Sequence, residues 1–96
     1  MKCCLGLLTV ELHFAESQSL KERRSVMNSL KERIRSRFNV SVAEADFGDV
    51  WQRGGLIVSG AGASASRVDQ ALRTVLEFID GEPRVQVITP QLRFYE

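Results

Sequence analysis

The sequence predicts a ferredoxin-like two-layer α+β sandwich that forms a single domain over residues 1–96. Four segments alternate apolar and polar side chains like strands, and two carry apolar stripes at the helical period, in the order β-α-β-β-α-β. A chain of 96 residues has room for one domain. With right-handed crossovers, the compact arrangement is a four-stranded, antiparallel-type sheet of order 4-1-3-2 with both helices on one face.

The first strand and the first helix have the clearest patterns. Residues 2–14 carry apolar side chains on both faces at one end, which is typical of a central strand. Ser19 and Glu22 have the spacing of a capping box, and an apolar stripe then recurs as far as Phe38. We therefore expect a helix over residues 20–37, ended by Asn39 in the left-handed conformation.

A β-hairpin is predicted to follow this helix. Residues 40–45 are rich in valine and alanine, residues 46–49 have turn composition, and residues 50–59 return to an extended pattern. If Arg53 faces outward, strand alternation places Trp51 and Ile57 on the same outward face.

The second helix and the last strand complete the order. Ser66 and Asp69 form a second capping pattern, and the apolar stripe that follows is stopped by Gly81 and Pro83. We expect residues 84–89 to form the fourth strand, and residues 90–96 to form an irregular or weakly paired tail.

The composition is that of an ordinary globular protein. With 44% hydrophobic and 26% charged residues the chain is neither disordered nor fibrous, and a net charge of +1 excludes a protein that is basic throughout. The apolar stretch at residues 3–10 is too short to span a membrane, so we expect a cytoplasmic protein without membrane contact. Adjacent Cys3 and Cys4 point to opposite strand faces, and we expect reduced thiols and neither a metal nor a cofactor.

Positive charge is concentrated on the first predicted helix. Residues 20–38 hold seven basic and two acidic side chains, a net +5 in a chain of net +1. Phosphate binding favours such a concentration, because each neutralised phosphate releases counterions. The alternative is a solvated helix face, which the helix dipole favours for arginines near the C-terminus but not for cations near the N-terminus. The candidate RNA- or phosphate-binding residues are Lys21, Arg23, Arg24, Lys31, Arg35 and Arg53.

Arg23 differs from the other candidates because it falls within the apolar arc of the helix. Either it lies at the frayed edge of that arc, or it forms a structural ion pair with a carboxylate such as Glu11 or Glu44, which is the outcome that we expect. A role beside Arg53 as a helper in phosphate binding stays open.

One face of the predicted sheet has no helix to cover it. Four large apolar side chains are expected to share that face: Leu5, Leu7, Trp51 and Ile57. A small domain with such a patch commonly covers it with a partner, so we expect a homodimer. The alternative is that the last segment of the chain folds over the patch.

Catalytic machinery is not apparent in the sequence. Residues 60–65 match a loose dinucleotide fingerprint and residues 46–48 spell the magnesium triplet of kinases, but neither motif has its accompanying elements. The element order is also that of the RNA-recognition motif, yet the third strand lacks the paired aromatic residues on which that module stacks bases. Three functions stay open: an RNA- or ribosome-binding module, which we favour, a self-associating interaction module, and a small-ligand or phosphate enzyme.

Three segments have a recognisable combination of residues: SLKERR at 19–24, FNVSVAE at 38–44 and DVWQR at 49–53. Together they resemble the YlxP-like family of small bacterial proteins of unknown function, and the likeness covers nearly the whole chain. The resemblance implies a ferredoxin-like domain and a gene that often lies among translation and ribosome-maturation genes, but no activity. It points to ribosomal RNA or a ribosomal subunit as the partner.

Overall fold

The elements follow the predicted β-α-β-β-α-β order in a computed structural model, which describes residues 1–48 and 50–96. Asp49, at the end of the predicted turn, lies outside the described residues. The first helix has its predicted bounds, whereas every strand shifts at one or both ends. The elements are β1 (Cys4–His13), α1 (Leu20–Arg37), β2 (Ser41–Ala45), β3 (Arg53–Gly62), α2 (Ala65–Asp80) and β4 (Gln86–Tyr95).

The four strands form one antiparallel sheet of order β2-β3-β1-β4. Read from the other edge, this is the predicted order 4-1-3-2, and the ferredoxin-like fold is confirmed. The central strand β1 pairs with β3 over its whole length, from Cys4 opposite Gly62 to His13 opposite Arg53. Its side chains alternate between buried and more exposed, so one face of the sheet is covered and the other is open.

The core lies between the covered face of the sheet and the two helices. Leu8, Leu12 and Phe14 of β1 and its extension are fully buried there. The two helical stripes recur at spacings of three and four residues, as predicted, and each such side chain contributes about 1.5–3 kcal/mol when it is buried. The helical core residues are Val26, Met27, Leu30 and Ile34 from α1, and Val68, Leu72, Val75 and Ile79 from α2.

The two ends of α1 differ in how well the sequence predicts them. Ser19 caps the N-terminus as predicted, and its hydroxyl oxygen accepts a hydrogen bond from the N–H of Glu22 at 3.1 Å. At the other end the prediction of a left-handed Asn39 is wrong, because Phe38 already leaves the helix in extended backbone with φ −127°. The Phe38 ring packs edge-on against Phe78 of α2, with the centroids 5.7 Å apart, and the chain passes directly into β2.

The start of α2 also corrects the prediction. Ser64, and not Ser66, is the capping residue, and its hydroxyl oxygen accepts from the N–H of Arg67 at 3.4 Å. The helix begins earlier than expected because the chain turns as soon as β3 ends at Gly62. Gly81 ends α2 as predicted.

The prediction of an irregular tail after residue 89 is wrong. β4 continues to Tyr95 and pairs with β1 beyond an irregularity in which Thr89 and Pro90 lie opposite Val10. Two residues opposite one is the pattern of a β-bulge, and Thr89 has the positive φ of 50° that the bulge imposes. β4 is an edge strand, where a proline without an N–H is tolerated. Residues 90–95 therefore lengthen β4 along the edge of the sheet and do not fold over its open face.

The two adjacent cysteines differ in burial, and Cys3 precedes the first residue of β1. Both are free thiols, with Cys3 exposed and Cys4 buried. Burial raises the pKa of the Cys4 thiol, which disfavours the reactive thiolate.

Candidate nucleic-acid interface

Lys21 and Arg24 are two of the six predicted phosphate-binding residues, and the charges of both are accessible. Both are exposed on α1, and neither forms a salt bridge with a carboxylate of residues 1–48 or 50–96. They lie three positions apart, so their side chains project from the same side of the helix. The positive end of the helix dipole disfavours cations in the first turns, so a contribution to helix stability does not explain them.

Two other candidates are neutralised by this chain's own carboxylates. The ammonium of Lys31 lies 2.5 Å from a carboxylate oxygen of Glu44 in β2, and its side chain is only 18% exposed. The guanidinium of Arg53 forms an ion pair with Glu11, which faces the same side of the sheet from β1. A phosphate would have to compete with an existing carboxylate at either position.

Arg23 does not form the predicted ion pair. Its Nη1 donates instead to the backbone carbonyl oxygens of Val50, at 2.6 Å, and Arg53, at 3.0 Å. Glu11 and Glu44, the two expected partners, are paired with Arg53 and Lys31. Arg23 therefore joins α1 to the chain segment that enters β3.

The C-terminal half of α1 carries further cations in different settings. Arg35 is exposed and donates from Nη2 to the carbonyl oxygen of Val42 at 2.9 Å, and no carboxylate of the described residues forms a salt bridge with it. Arg37 lies over the ring of Phe78, 5.0 Å from its centroid. Arg33 forms an ion pair at 2.5 Å with Glu82, from the turn after α2.

Trp51 lies outside the strand in which the sequence placed it. β3 begins at Arg53, and Trp51 sits in the preceding turn beside residues 15–18, which connect β1 to α1. Its side chain is 47% exposed. Leu5 is near the opposite end of the sheet, where it pairs with Ala61, so the four predicted partner-surface residues do not form one patch.

The open face of the sheet keeps three of those four residues. Leu5 is 48% exposed and pairs with Ala61 on one side and Tyr95 on the other. Leu7 follows on the same face, and Ile57 lies diagonally across from it on β3. Tyr95, which was expected in an irregular tail, therefore extends the apolar surface of this face.

Phe47 covers the open face at the start of β3. Its ring lies so close to Gly55 that a Cβ at that position would be 2.8 Å from it, so glycine is required for this approach. The guanidinium of Arg53 stacks on the same ring, 4.9 Å from its centroid. Between Phe47, Ile57 and Gln91 the face has a shallow concavity of about 400 Å³.

Neither α1 nor α2 is long and apolar enough to cross a membrane. Within residues 1–48 and 50–96, no three histidine, cysteine, aspartate or glutamate side chains are grouped to hold a metal ion.

The fold and these surfaces define a small ferredoxin-like α+β domain with a basic helix and an uncovered sheet face. Residues 5–91 match the family described as "Protein of unknown function (DUF503)", and the chain belongs to that family. It is 32% identical over 82 residues to the "Uncharacterized protein YlxP" of Bacillus subtilis (strain 168), a match that covers 85% of this chain and 89% of that protein. The resemblance drawn from the three sequence segments is thereby confirmed.

A solved structure supports the fold alone. The "De novo designed protein Foldit4" superimposes with a TM-score of 0.55 at 10% sequence identity, covering 99% of this chain and 98% of that one. At that identity the likeness concerns the path of the backbone and carries no information about function.

Proposed function

We propose that this protein is a non-catalytic RNA-binding module that uses the exposed flank of α1 to bind ribosomal RNA or a ribosomal subunit. The observation that supports this most is the pair Lys21 and Arg24, whose charges no described carboxylate neutralises. Uncompensated cations on one helix face attract the phosphate backbone and release its counterions on binding. The gene neighbourhood that the family resemblance implies points to the same partner.

Arg35 extends this flank toward the other end of α1. It lies fourteen positions after Lys21, or about 21 Å along the helix at about 1.5 Å per residue. Lys21, Arg24 and Arg35 would therefore meet phosphates that are well separated along an RNA. Lys31 and Arg53 would contribute less, because each must first leave its carboxylate partner.

We expect the variant Lys21→Gln/Arg24→Gln to bind a fluorescently labelled fragment of small-subunit ribosomal RNA more weakly and with a smaller salt dependence. Each lost phosphate contact lowers the slope of log K against log salt concentration by about 0.7 for a single strand and about 0.9 for a duplex. Two lost contacts therefore lower it by about 1.4–1.8. Fluorescence anisotropy titrations between about 50 and 200 mM salt measure this slope.

The matched control is Arg67→Gln/Arg73→Gln, which removes the same charge from exposed positions on α2. We expect this control to keep the salt slope of the unmodified protein. An equal loss in both variants would show that net charge alone governs binding, and it would contradict an interface on α1. Salt-independent binding would contradict phosphate contact altogether.

We also propose that two copies of the protein associate through the open face of the sheet. Three strands of ten residues and one of five, at about 3.3 Å per residue and about 4.8 Å between strands, give this face an area of about 550 Å². This is close to the lower end of the about 600–1,000 Å² that a stable interface of ordinary size buries on each partner. A second copy presents the same apolar surface around Leu5, Leu7 and Ile57, and the Glu11–Arg53 ion pair neutralises both of these charges at one end of the face.

We expect sedimentation equilibrium to show a dimer for the unmodified chain and a 10.8 kDa monomer for Leu5→Glu. The new carboxylate lies at the edge of the apolar patch and would be buried without a partner in the dimer. Trp51→Glu is the control, because Trp51 is as exposed as Leu5 but lies off this face. A monomeric unmodified protein, or a dimer that Leu5→Glu leaves intact, would contradict this association.

A further inference from the structure

We infer that Trp51 is a stacking platform for a nucleobase, and that the RNA segment bound beside the first turns of α1 is single-stranded. This inference rests on the proposed RNA-binding function and specifies its ligand. The sequence pattern assigned Trp51 to an apolar patch on the sheet, but the structure places it next to the N-terminal half of α1.

The backbone that carries Trp51 is held at three points. Arg23 of α1 donates to the carbonyl oxygens of Val50 and Arg53, one on each side of the tryptophan. The carbonyl oxygen of Gln52 accepts from the N–H of Phe14 at 2.9 Å. An exposed indole on an anchored segment loses little conformational entropy when a flat ligand stacks on it.

The same hydrogen bonds hold the segment that carries Trp51 against the N-terminal half of α1, the half that also carries Lys21 and Arg24. At about 100° per residue, Arg24 projects about 100° and Lys21 about 160° around the helix from Arg23. Because Arg23 touches the segment on both sides of Trp51, a strand with a base on the indole passes the first turns of α1. Phosphates on Lys21 and Arg24 and a base on Trp51 combine the two contacts by which proteins hold single strands.

The recess beside Trp51 suits a base better than a phosphate. It is open, about 610 Å³ in volume, and it lies between Trp51, Gln52 and residues 15–18. Glu16 is the one charged side chain among the described residues that line it, and a carboxylate repels phosphate. Gln18 and Gln52 offer amide groups that can donate to and accept from the edge of a base. In a duplex the faces of the bases are already stacked, so this arrangement favours an unpaired segment.

Trp51 is the single tryptophan of the chain, so its fluorescence reports directly on the proposed contact. The full chain is titrated with a twelve-nucleotide oligouridylate, with an RNA duplex of twelve base pairs, and with inorganic polyphosphate. We expect the single strand to quench the indole emission to saturation, the duplex to bind more weakly, and polyphosphate to leave the emission unchanged.

Variants separate stacking from charge. We expect Trp51→Ala to weaken binding of the oligouridylate about 5- to 150-fold, the range that the loss of one stacked base produces. Its salt slope should be unchanged, because no phosphate contact is removed. Trp51→Phe keeps an aromatic face and should retain most of the affinity. A urea unfolding midpoint equal to that of the unmodified chain shows that Trp51→Ala remains folded.

The outcomes distinguish this inference from the function on which it rests. If Lys21→Gln/Arg24→Gln weakens binding of the oligouridylate while Trp51→Ala binds normally and the emission does not change, the stacking inference is wrong and RNA binding by α1 stands. A duplex that binds as tightly as the single strand also overturns the inference. If neither RNA binds the unmodified chain, both proposals fail.

Discussion

Replacement of Gly6 by alanine is expected to lower the free energy of unfolding by about 2–3 kcal/mol, the upper range for forcing a methyl group into a packed core. Gly6 faces α2 from the middle of the sheet. A Cβ at this position would lie 2.6 Å from Cδ1 of Leu72 and closer still to Cγ1 of Val68. Carbon atoms in contact normally lie about 3.5–4.0 Å apart, so the helix or the strand must move.

The side chains that meet Gly6 cannot easily make room. Val68 is β-branched and sits in α2, where a single χ1 rotamer dominates. Leu72 is completely buried, with core side chains around it. The methyl group would therefore push α2 away from β1 and loosen contacts along the helix. A loss of this size is a large part of the total stability of a small domain.

Gly60 is a matched control for this prediction, because it is the residue paired directly with Gly6 on β3. A Cβ at Gly60 would lie 3.5 Å from Val40 and 3.8 Å from Leu72, which are ordinary contacts. We expect Gly60→Ala to be neutral or slightly stabilising, since alanine loses less backbone entropy on folding. Urea unfolding measures both variants through the shift in midpoint at constant slope. Equal effects of the two substitutions would show that close approach of α2 is not the cause.

Local signals in the sequence are sufficient for the bounds of α1, although not for its C-terminal cap, and they are not sufficient for β4. Ser19, Glu22 and the apolar stripe all lie within the helix or next to it, so they predict its bounds without knowledge of the rest of the fold. Pro90 favours an end to the last strand when it is considered alone. The proline is accommodated because β4 is an edge strand and because a bulge at Thr89 absorbs the extra residue. Both reasons depend on which strand lies beside β4.

The candidate site shows the same division between local and long-range information. The excess of positive charge on α1 is visible in the sequence, but the partners of its cations are not. The sequence suggests Glu11 or Glu44 as the partner of Arg23, yet the register of β1 against β3 brings Glu11 to Arg53. When strand alternation is extended back from Arg53, it predicts that Trp51 lies on the open face of the sheet. That prediction is wrong because the chain turns just before β3 begins. The position of Trp51 beside α1 follows from the bonds of Arg23, which sequence periodicity does not reveal.

Replacement of Glu82 by glutamine is expected to destabilise the protein by about 2–3 kcal/mol at pH 7, through the loss of a buried charge that holds both halves of the chain together. The Glu82 side chain is only 4% exposed. One carboxylate oxygen accepts from Arg33 of α1 and from Nη2 of Arg84, and the other accepts from the backbone N–H and Nε of Arg84. These hydrogen bonds, chiefly those from the Arg84 side chain, lower the pKa of Glu82 from 4.5 to about 2.

The lowered pKa gives this prediction a specific pH dependence. The Glu82 carboxyl loses its proton more readily in the folded protein than in the unfolded chain. The contribution of its charge to the free energy of unfolding is therefore complete above pH 4.5 and is lost as the pH falls toward 2. A pKa lowered by this amount corresponds to about 3 kcal/mol of folding stability. Glutamine keeps part of that stability because its amide oxygen still accepts hydrogen bonds. Arg33 and Arg84 are about half exposed, so water can solvate them in the variant.

The difference in stability between the unmodified chain and Glu82→Gln isolates this single group, because all other carboxylates titrate in both proteins. We expect urea unfolding at a series of pH values to show the full difference from pH 7 down to about 5, and almost none near pH 2. Glu77→Gln, at an exposed position on α2, is the control and should change stability by no more than about 0.5 kcal/mol. If the effect of Glu82→Gln is the same at pH 7 and pH 2.5, it arises from altered packing in the turn after α2, and the charge of Glu82 is not what holds α1 there.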